Sequence, residues 1–429
     1  MSTGRYLTAE EAARELGVSR ATLYAYVSRG WVGSEAAGGD RRVRRYDGED
    51  VRRLKERKAL RRNPGEAQRA LHWGAPLIES QITLIADGGL YYRGQEVALL
   101  ARSHSVEQVA SLIWTGEVNE GGLFADRESL NARFDLDLGR LRGAFPSFAA
   151  LPPVTRFQTL LPLMAAEDLA AYDLRPEMVA QTGARILQTM AALAGDKLPK
   201  ILRFAQNDKK SRVGIAQTLQ EGWGARFGEG ADRGQVRELL NAALVLCADH
   251  ELNVSSFTAR CVASASSTPY QVVQAGLAAL QGVKHGGRTR RVEAFLREVD
   301  TPAGARPAIA NRLARGEAIP GFSHPLYPTR DPRASALLEM LSEQYPNAPI
   351  LALGDNIIAE MVNLIGKPPN VDFALVMLTQ LLNLPPGTAL TLFALGRTIG
   401  WIGHAIEQYQ TNRLIRPRAR YTGKQPLSS

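Results

Sequence analysis

The sequence predicts a mainly α-helical protein with one small β-hairpin at the start of its body, preceded by a winged helix-turn-helix unit. Three observations carry this. From Val97 onward apolar residues recur almost only at helical spacing, in runs broken by Pro and Gly. Just before them, residues 82–85 (ITLI) and 90–92 (LYY) flank Asp87-Gly88-Gly89, a hairpin signal. The first stretch is set apart by charge: residues 1–65 hold 15 Lys/Arg against 9 Asp/Glu, which is +6 of the net +9.

In that stretch Thr8 suits a helix N-cap, with Glu11 three residues on completing a capping box. Ala12, Ala13 and Leu16 give the apolar stripe. Gly17-Val18-Ser19 is a tight turn, and Ser19 caps a second helix carrying Leu23, Tyr26 and Val27. A Gly-Gly-Asp turn and the run Arg41 to Tyr46 suit a hairpin wing, and residues 47–58 suit a third, basic helix. The pattern resembles the DNA-binding half of MerR-type regulators and excisionase-like modules. That resemblance implies DNA as a partner, with Arg20 and Tyr24 on the groove-entering helix and Arg41, Arg42, Arg44 and Arg45 on phosphates. The alternative is a module kept for dimerisation or partner contact. The helix-turn-helix domain is expected over 1–62. Asn63-Pro64-Gly65 breaks it, and 63–77 reads as a linker.

After the hairpin the clearest helical patterns cover 154–168, 175–194, 236–248, 271–281 and 335–344. The charged segment 196–212 lacks periodicity and reads as a surface insertion, or as a frayed helix extension. Residues 424–429 are expected to be disordered. Trp114, Trp223 and His404 are expected to pack, and His72 and His104 to lie on the surface. At 429 residues with 45% hydrophobic and 22% charged, the chain can bury a large core and does not read as disordered. We find no run of about eighteen apolar residues and expect no membrane partner. An apolar export signal is missing from the N-terminus. Cys247 and Cys261 cannot build a disulfide framework and lack metal-ligand spacing, so we expect a reducing, cytoplasmic setting and no metal.

The chain has only 6 histidines, and three lie in stretches flanked by Gly, Pro or Asp. These are ADHELNVSSFTAR around His250, VKHGG around His285 and IPGFSHPLYPTRDPR around His324; Asp372 lies in PPNVDF. Each histidine alone could be a core or capping residue. Together, imidazoles and a carboxylate are what proton transfer at a carbon beside a carbonyl needs.

These stretches, with DGGLYYRGQEV, SVEQVASLIWTGE, LFALGRTIGWIGHAIEQ and NRLIRPRARYTG, resemble citrate synthase and its relatives over residues 78–423. The resemblance implies a citrate-synthase-like, almost all-helical homodimer of two domains per subunit. The large domain would span 78–285 and 376–423, and the small domain 286–375. Active sites would lie between domains and borrow a residue from the other subunit. Asp372 would be the base that removes the acyl-CoA methyl proton. His285 would stabilise the enol, and His324 would polarise the keto carbonyl of oxaloacetate. His250, Arg333 and Arg397 would bind oxaloacetate, with Arg416 contributed by the partner. Ile319, Pro320, Gly321, Phe322 and Ser323 would form part of the CoA-binding wall. No cofactor is implied, acetyl-CoA being a co-substrate. The product would be citrate, or 2-methylcitrate if propionyl-CoA is used. A DNA-binding metabolite sensor built on this body is the other reading.

The chemistry agrees with these roles. A carboxylate can remove a thioester α-proton only if the enolate is stabilised as it forms. Planar Arg forks bind the several carboxylates of such substrates. One departure stands out: Arg288 follows His285-Gly286-Gly287, where the family usually has Ala and then Asn. Thr289 is expected to cap the following helix in place of Asn. Arg288 would meet a CoA phosphate or an extra substrate carboxylate, or point to solvent.

Overall fold

The computed structural model describes residues 6–28, 32–37, 40–48, 50, 51, 54, 78–119, 122–125, 148, 150–195, 214–228, 232–417, 419 and 422–424. The linker expected over 63–77, the insertion 196–212, His72 and the tail beyond Lys424 lie outside them. The chain divides into two compact units, Met1–Glu79 and Ser80–Ser429.

The first unit comprises β1 (Tyr6–Leu7), α1 (Ala9–Leu16), α2 (Arg20–Ser28), β2 (Ser34–Ala37) and β3 (Asp40–Asp47). Helix α1 starts at the capping box that its sequence predicts. Thr8 accepts the Glu11 N–H, and the Glu11 carboxylate accepts the Thr8 N–H at 2.8 Å. Gly17 ends it with φ 60°, a left-handed cap that a side chain would disfavour. Ser19 Oγ accepts the Thr22 N–H at 3.2 Å and so opens α2. Strand β3 is central and pairs antiparallel with β1 and β2, which makes the wing. Ala12, Ala13, Leu16, Leu23, Val32 and Tyr46 close a small core of their own. Where the third helix is expected, Gly48, Asp50, Val51 and Leu54 are helical, and Val51 and Leu54 join that core.

The second unit opens with β4 (Thr83–Ala86), β5 (Gly89–Tyr92) and β6 (Gln95–Glu96) in one antiparallel sheet. Asp87 and Gly88 turn β4 into β5 with φ of 52° and 75°, as a two-residue hairpin of the right twist requires. Helices follow: α3 (Val97–Ser103), α4 (Val106–Thr115), α5 (Gly122–Ala125), α6 (Pro153–Glu167), α7 (Pro176–Ala194), α8 (Ile215–Trp223) and α9 (Arg233–Cys247). Then come α10 (Val254–Ala263), α11 (Pro269–Leu280), α12 (Arg288–Val299), α13 (Ala305–Ala314), α14 (Pro332–Gln344), α15 (Pro349–Ile365), α16 (Val371–Leu381) and α17 (Thr388–Thr411).

Helix α17 is the axis of this unit. It packs against α4, α6, α7, α9, α10, α11, α12 and α16. Gly400 lets the chain after α9 come close: a Cβ there would lie 2.5 Å from the Ala248 carbonyl, which accepts the Gly400 N–H at 2.9 Å. The loop carrying Asp249 and His250 is thereby pinned to the core. By length and composition α17 could span a bilayer, which the sequence reading did not anticipate; that stretch is wholly buried inside the fold. Trp114 and Trp223 pack as expected, each donating its indole N–H to a backbone carbonyl, of Ile399 and Ala194. His104 is half-buried rather than on the open surface, because Ser103 and Asn241 hold it at the end of α3.

Candidate active site

His250, His324 and Tyr327 form one aromatic cluster. The two imidazole centroids are 5.1 Å apart, edge to face, and His250 Nε2 lies 2.9 Å from Tyr327 Oη. Burial, then Arg333 and Arg397, hold His250 well below its usual pKa. Burial first and Arg333 second bring His324 down to about 4. The Leu326 N–H donates to His324 Nδ1 at 3.2 Å. In the neutral ring the proton is therefore on Nε2, which is available to a ligand oxygen.

His285 stands on the turn before α12. Its Nε2 is 2.9 Å from Ser255 Oγ, at the start of α10, and its ring meets Phe393 of α17 edge-on. The Ser255 hydroxyl has one proton and two acceptors in reach, the other being Asn253 Oδ1 at 2.8 Å. Given to Nε2, that proton leaves His285 neutral with an N–H at Nδ1. Burial, then Arg397 and Arg288, lower its pKa to about 3, so it is a neutral donor.

Asp372 lies in the first turn of α16, where Asn370 caps the helix by accepting the Asp372 N–H at 3.0 Å. Burial raises its carboxyl to about 6, against the opposing pull of Arg333 and Arg288. The CoA-wall candidates are zipped to the same loop. Asn370 N–H donates to Gly321 O at 2.9 Å, Ser323 N–H to Pro368 O at 2.9 Å, and Asn370 Nδ2 to Ser323 O at 3.0 Å. Gly321 has φ 86°, and a Cβ on it would press on Phe373 at 3.0 Å and Val292 at 3.1 Å. Ile319 and Phe322 are buried, Pro320 is half-buried and Ser323 is exposed.

Two arginines complete the cluster. Arg333 gives its Nε and Nη2 to Asp331 at 3.0 and 2.8 Å, and its guanidinium lies over the Tyr327 ring. Asp331 also accepts the Val371 N–H at 3.1 Å, which ties the start of α14 to that of α16. Arg397, on the central helix, is 1% exposed. Its Nε donates to Cys247 O at 2.9 Å, while its Nη2 is buried with no hydrogen-bond partner. A fully buried guanidinium with an idle N–H edge is costly unless an anion completes it.

Arg288 is exposed at the first residue of α12, and its charge lowers the pKa of His285, His324 and Asp372. Thr289 does not cap α12. The helix begins at Arg288, two residues earlier than a Thr289 cap would place it, with Gly287 at the cap, and the Thr289 hydroxyl donates to Gly286 O at 3.0 Å. Arg416 lies on the exposed segment after α17, and among the described residues no hydrogen bond or ion pair joins it to the cluster. His404 is fully buried as expected but sits among charged groups, Arg260 and Asp249. Sequence reasoning missed Tyr327, Ser255, Asp331 and Asp249. All four lie inside the motifs that carry the histidines, and proximity was the available signal. No group of three His, Cys, Asp or Glu among the described residues is arranged to hold a metal ion.

In the first unit Tyr24 is exposed on α2, and Arg20 is exposed and paired with Glu10 at 3.2 Å. Arg44 and Arg45 are exposed on β3, Arg44 donating to Ser34 Oγ. Arg41 and Arg42 lie on the same strand, and their side chains fall outside the described residues.

Residues 71–418 match the family model for the citrate synthase C-terminal domain. The chain belongs to the citrate synthase family. It is an acyltransferase of that type, and residues 6–59 match a helix-turn-helix domain model. A citrate synthase of Haloferax volcanii is 34% identical over 388 residues, covering 85% of this chain and 97% of that one. A 2-methylcitrate synthase of Mycobacterium tuberculosis is 31% identical, covering 78% and 84%. Among solved structures, citrate synthase from Pyrobaculum aerophilum superposes with a TM-score of 0.69 at 25% identity, covering 84% of this chain and 93% of that one. The Thermoplasma acidophilum enzyme, solved in ternary complex with carboxymethyl coenzyme A and oxaloacetate, gives 0.67 at 23%, covering 83% and 96%.

Proposed function

We propose that this protein condenses acetyl-CoA with oxaloacetate and hydrolyses the thioester, giving citrate and CoA. The observation that carries this is the buried, idle Nη2 edge of Arg397 beside three neutral imidazoles and a carboxyl raised to about 6. Arg397 and Arg333 take the oxaloacetate carboxylates, and His250 steadies the keto acid. His324 donates from Nε2 to the keto oxygen. Asp372 removes the α-proton while His285 donates from Nδ1 to the thioester oxygen, so charge is met where it develops. The α-carbon then bonds to the keto carbon, whose oxygen takes the proton from His324. Water cleaves the thioester and releases the thiol. The wall 319–323 holds CoA, and the protein works as a cytoplasmic homodimer in which the partner lends Arg416.

Propionyl-CoA giving 2-methylcitrate is the close variant, supported by relatives of that name. Release of CoA thiol is the test, with acetyl- and propionyl-CoA side by side and Asp372→Asn as control. Turnover that needs oxaloacetate and Asp372 supports the synthase, and the faster acyl-CoA names it. Turnover retained in Asp372→Asn sinks the base assignment.

For the first unit we propose DNA binding, supported by exposed Tyr24, Arg20, Arg44 and Arg45 on a helix-turn-helix. A metabolite-sensing regulator then becomes the second reading of the whole chain. A gel shift against the gene's own upstream DNA with salt titration tests it; weak, sequence-independent binding argues against it.

A further inference from the structure

Asp249 directly precedes His250 and takes no part in the chemistry proposed above. It is 0% exposed, yet every neighbour treats it as a carboxylate. Burial alone would raise its pKa, but His404, Arg397 and Thr83 together hold it below the usual range. Its Oδ2 accepts from Thr83 Oγ1 at 2.6 Å and from the Glu251 N–H at 3.1 Å. Its Oδ1 lies 3.3 Å from His404 Nε2, at ion-pair distance though off-line for a hydrogen bond, and 3.4 Å from Ser256 Oγ. His404 Nδ1 faces Arg260 Nη1 at 3.4 Å, and Arg260 is anchored by Glu407 at 2.8 Å and Gln408 at 3.0 Å. A neutral His404 therefore keeps its proton on Nε2, toward Asp249.

The backbone of the same residue is also held. Tyr92 Oη accepts the Asp249 N–H at 3.0 Å and lies within reach of Asp249 O and Val245 O, at 3.0 and 3.1 Å. Thr83 and Tyr92 are partners in one rung of the β4–β5 ladder. One rung thus supplies both hydroxyls, one to the side chain and one to the main chain. Beyond the pinned residue the backbone is strained: Glu251 has φ 54°. The bond from its N–H to the Asp249 carboxylate is what fixes that turn, and the turn sets where His250 points.

We infer that Asp249 is a positioning residue for His250, and that the Thr83–Tyr92 rung is a strut holding the keto-acid loop in its binding geometry. This rests on the proposed role of His250. It predicts a selective effect. The strut lies on the keto-acid side, while the CoA wall is held by Asn370 and Pro368 from another loop.

The experiment uses the full chain with Thr83→Val, Thr83→Ser and Tyr92→Phe. Oxaloacetate affinity is read by calorimetry, both KM values by thiol release, and the His250 imidazole signal by NMR, assigned with His250→Gln. Thr83→Val is expected to weaken oxaloacetate binding about fivefold or more, to leave the acetyl-CoA KM unchanged and to shift the His250 signal. Thr83→Ser restores all three. A lowered melting temperature with unchanged oxaloacetate affinity and an unmoved His250 signal overturns the strut, as does an equal rise in both KM values. A wild-type protein that ignores oxaloacetate, with a His250 signal that still moves in Thr83→Val, sinks the functional reading and supports the strut.

Discussion

Replacing Arg397 by Met should weaken the keto acid strongly and yet stabilise the empty protein. The guanidinium is 1% exposed, and no carboxylate among the described residues lies within ion-pair distance. Burial works against its charge, more than the nearby Asp249 can return. A buried ion with no matching partner costs several kcal/mol. Met removes that cost, together with the contact of the guanidinium with the Phe393 ring, worth about 0.5–1 kcal/mol. It leaves Cys247 O without its donor, worth about 1–3 kcal/mol if the carbonyl stays unpaired. The net is a gain of roughly 1–3 kcal/mol, seen as a rise of about 2–5 °C in the melting temperature of the empty protein. Binding moves the other way. Losing charge-assisted hydrogen bonds to a buried carboxylate costs roughly 2–4 kcal/mol, or about 30- to 1000-fold in oxaloacetate affinity. Calorimetry and thermal melts with and without oxaloacetate read both. A variant that binds oxaloacetate within about threefold of wild type, or whose empty form melts several degrees lower, would refute the reasoning.

Asp372 makes a pH prediction. Its folded pKa, about 6, is raised above the ordinary aspartate value of 3.8, so the folded state binds this proton more tightly than the unfolded chain. Ionising it thus costs stability, a cost that appears as pH rises from about 4 to 6 and is complete above. Asp372→Asn should be more stable than wild type at pH 7 by roughly 3 kcal/mol, with the gap closing below about pH 4 in denaturant melts; a constant gap would contradict it. Turnover of the free enzyme should fall as pH drops through about 6, read from kcat/KM. Ser255→Ala should lower kcat about tenfold or more while oxaloacetate binding stays put, because His285 loses its partner whereas Asn253 Oδ1 keeps the Ser255 and Ser256 N–H groups; weakened oxaloacetate binding would show that Ser255 does something else. Gly321→Ala should raise the acyl-CoA KM and cost about 1–3 kcal/mol of stability, because φ 86° is strained for alanine and its Cβ meets Phe373 and Val292; unchanged melting and KM would refute this.

What was legible in the sequence was whatever is settled locally. Thr8 and Glu11 make their capping box within four residues, and Asp87-Gly88 turns the hairpin without outside help. The three site histidines stood out because imidazole is rare here and each sits in a stretch flanked by Gly, Pro or Asp. What could not be read depends on distant chain. The role of Arg397 came from the resemblance, and its burial is seen only once α17 becomes the central helix. Thr289 looks like a cap until the double-glycine turn starts α12 two residues early. Asp331 caps α14, yet its second oxygen crosses to Val371, forty residues on. Asp249 needs a hairpin more than 150 residues earlier in the chain to explain its burial.

The neutrality of the three histidines is itself an argument about rate. A cationic imidazole beside the thioester would be a stronger hydrogen-bond donor, but its field would lower the pKa of Asp372 and weaken the base. The protein avoids that conflict by burial, which keeps His285 and His324 uncharged and at the same time raises Asp372. Positive charge enters instead as arginine, which cannot give up its proton and which Asp331 partly neutralises at Arg333. An arriving dicarboxylate would meet the remaining charge at Arg397, and its own negative charge would push the Asp372 and His324 pKa values upward together. In the proposed roles, keto-acid binding would therefore strengthen Asp372 as the base and ready His324 as the proton donor before any acyl-CoA arrives. The backbone strain at Glu251 and Ser323, the residues flanking His250 and His324, falls at the points this rearrangement would load first.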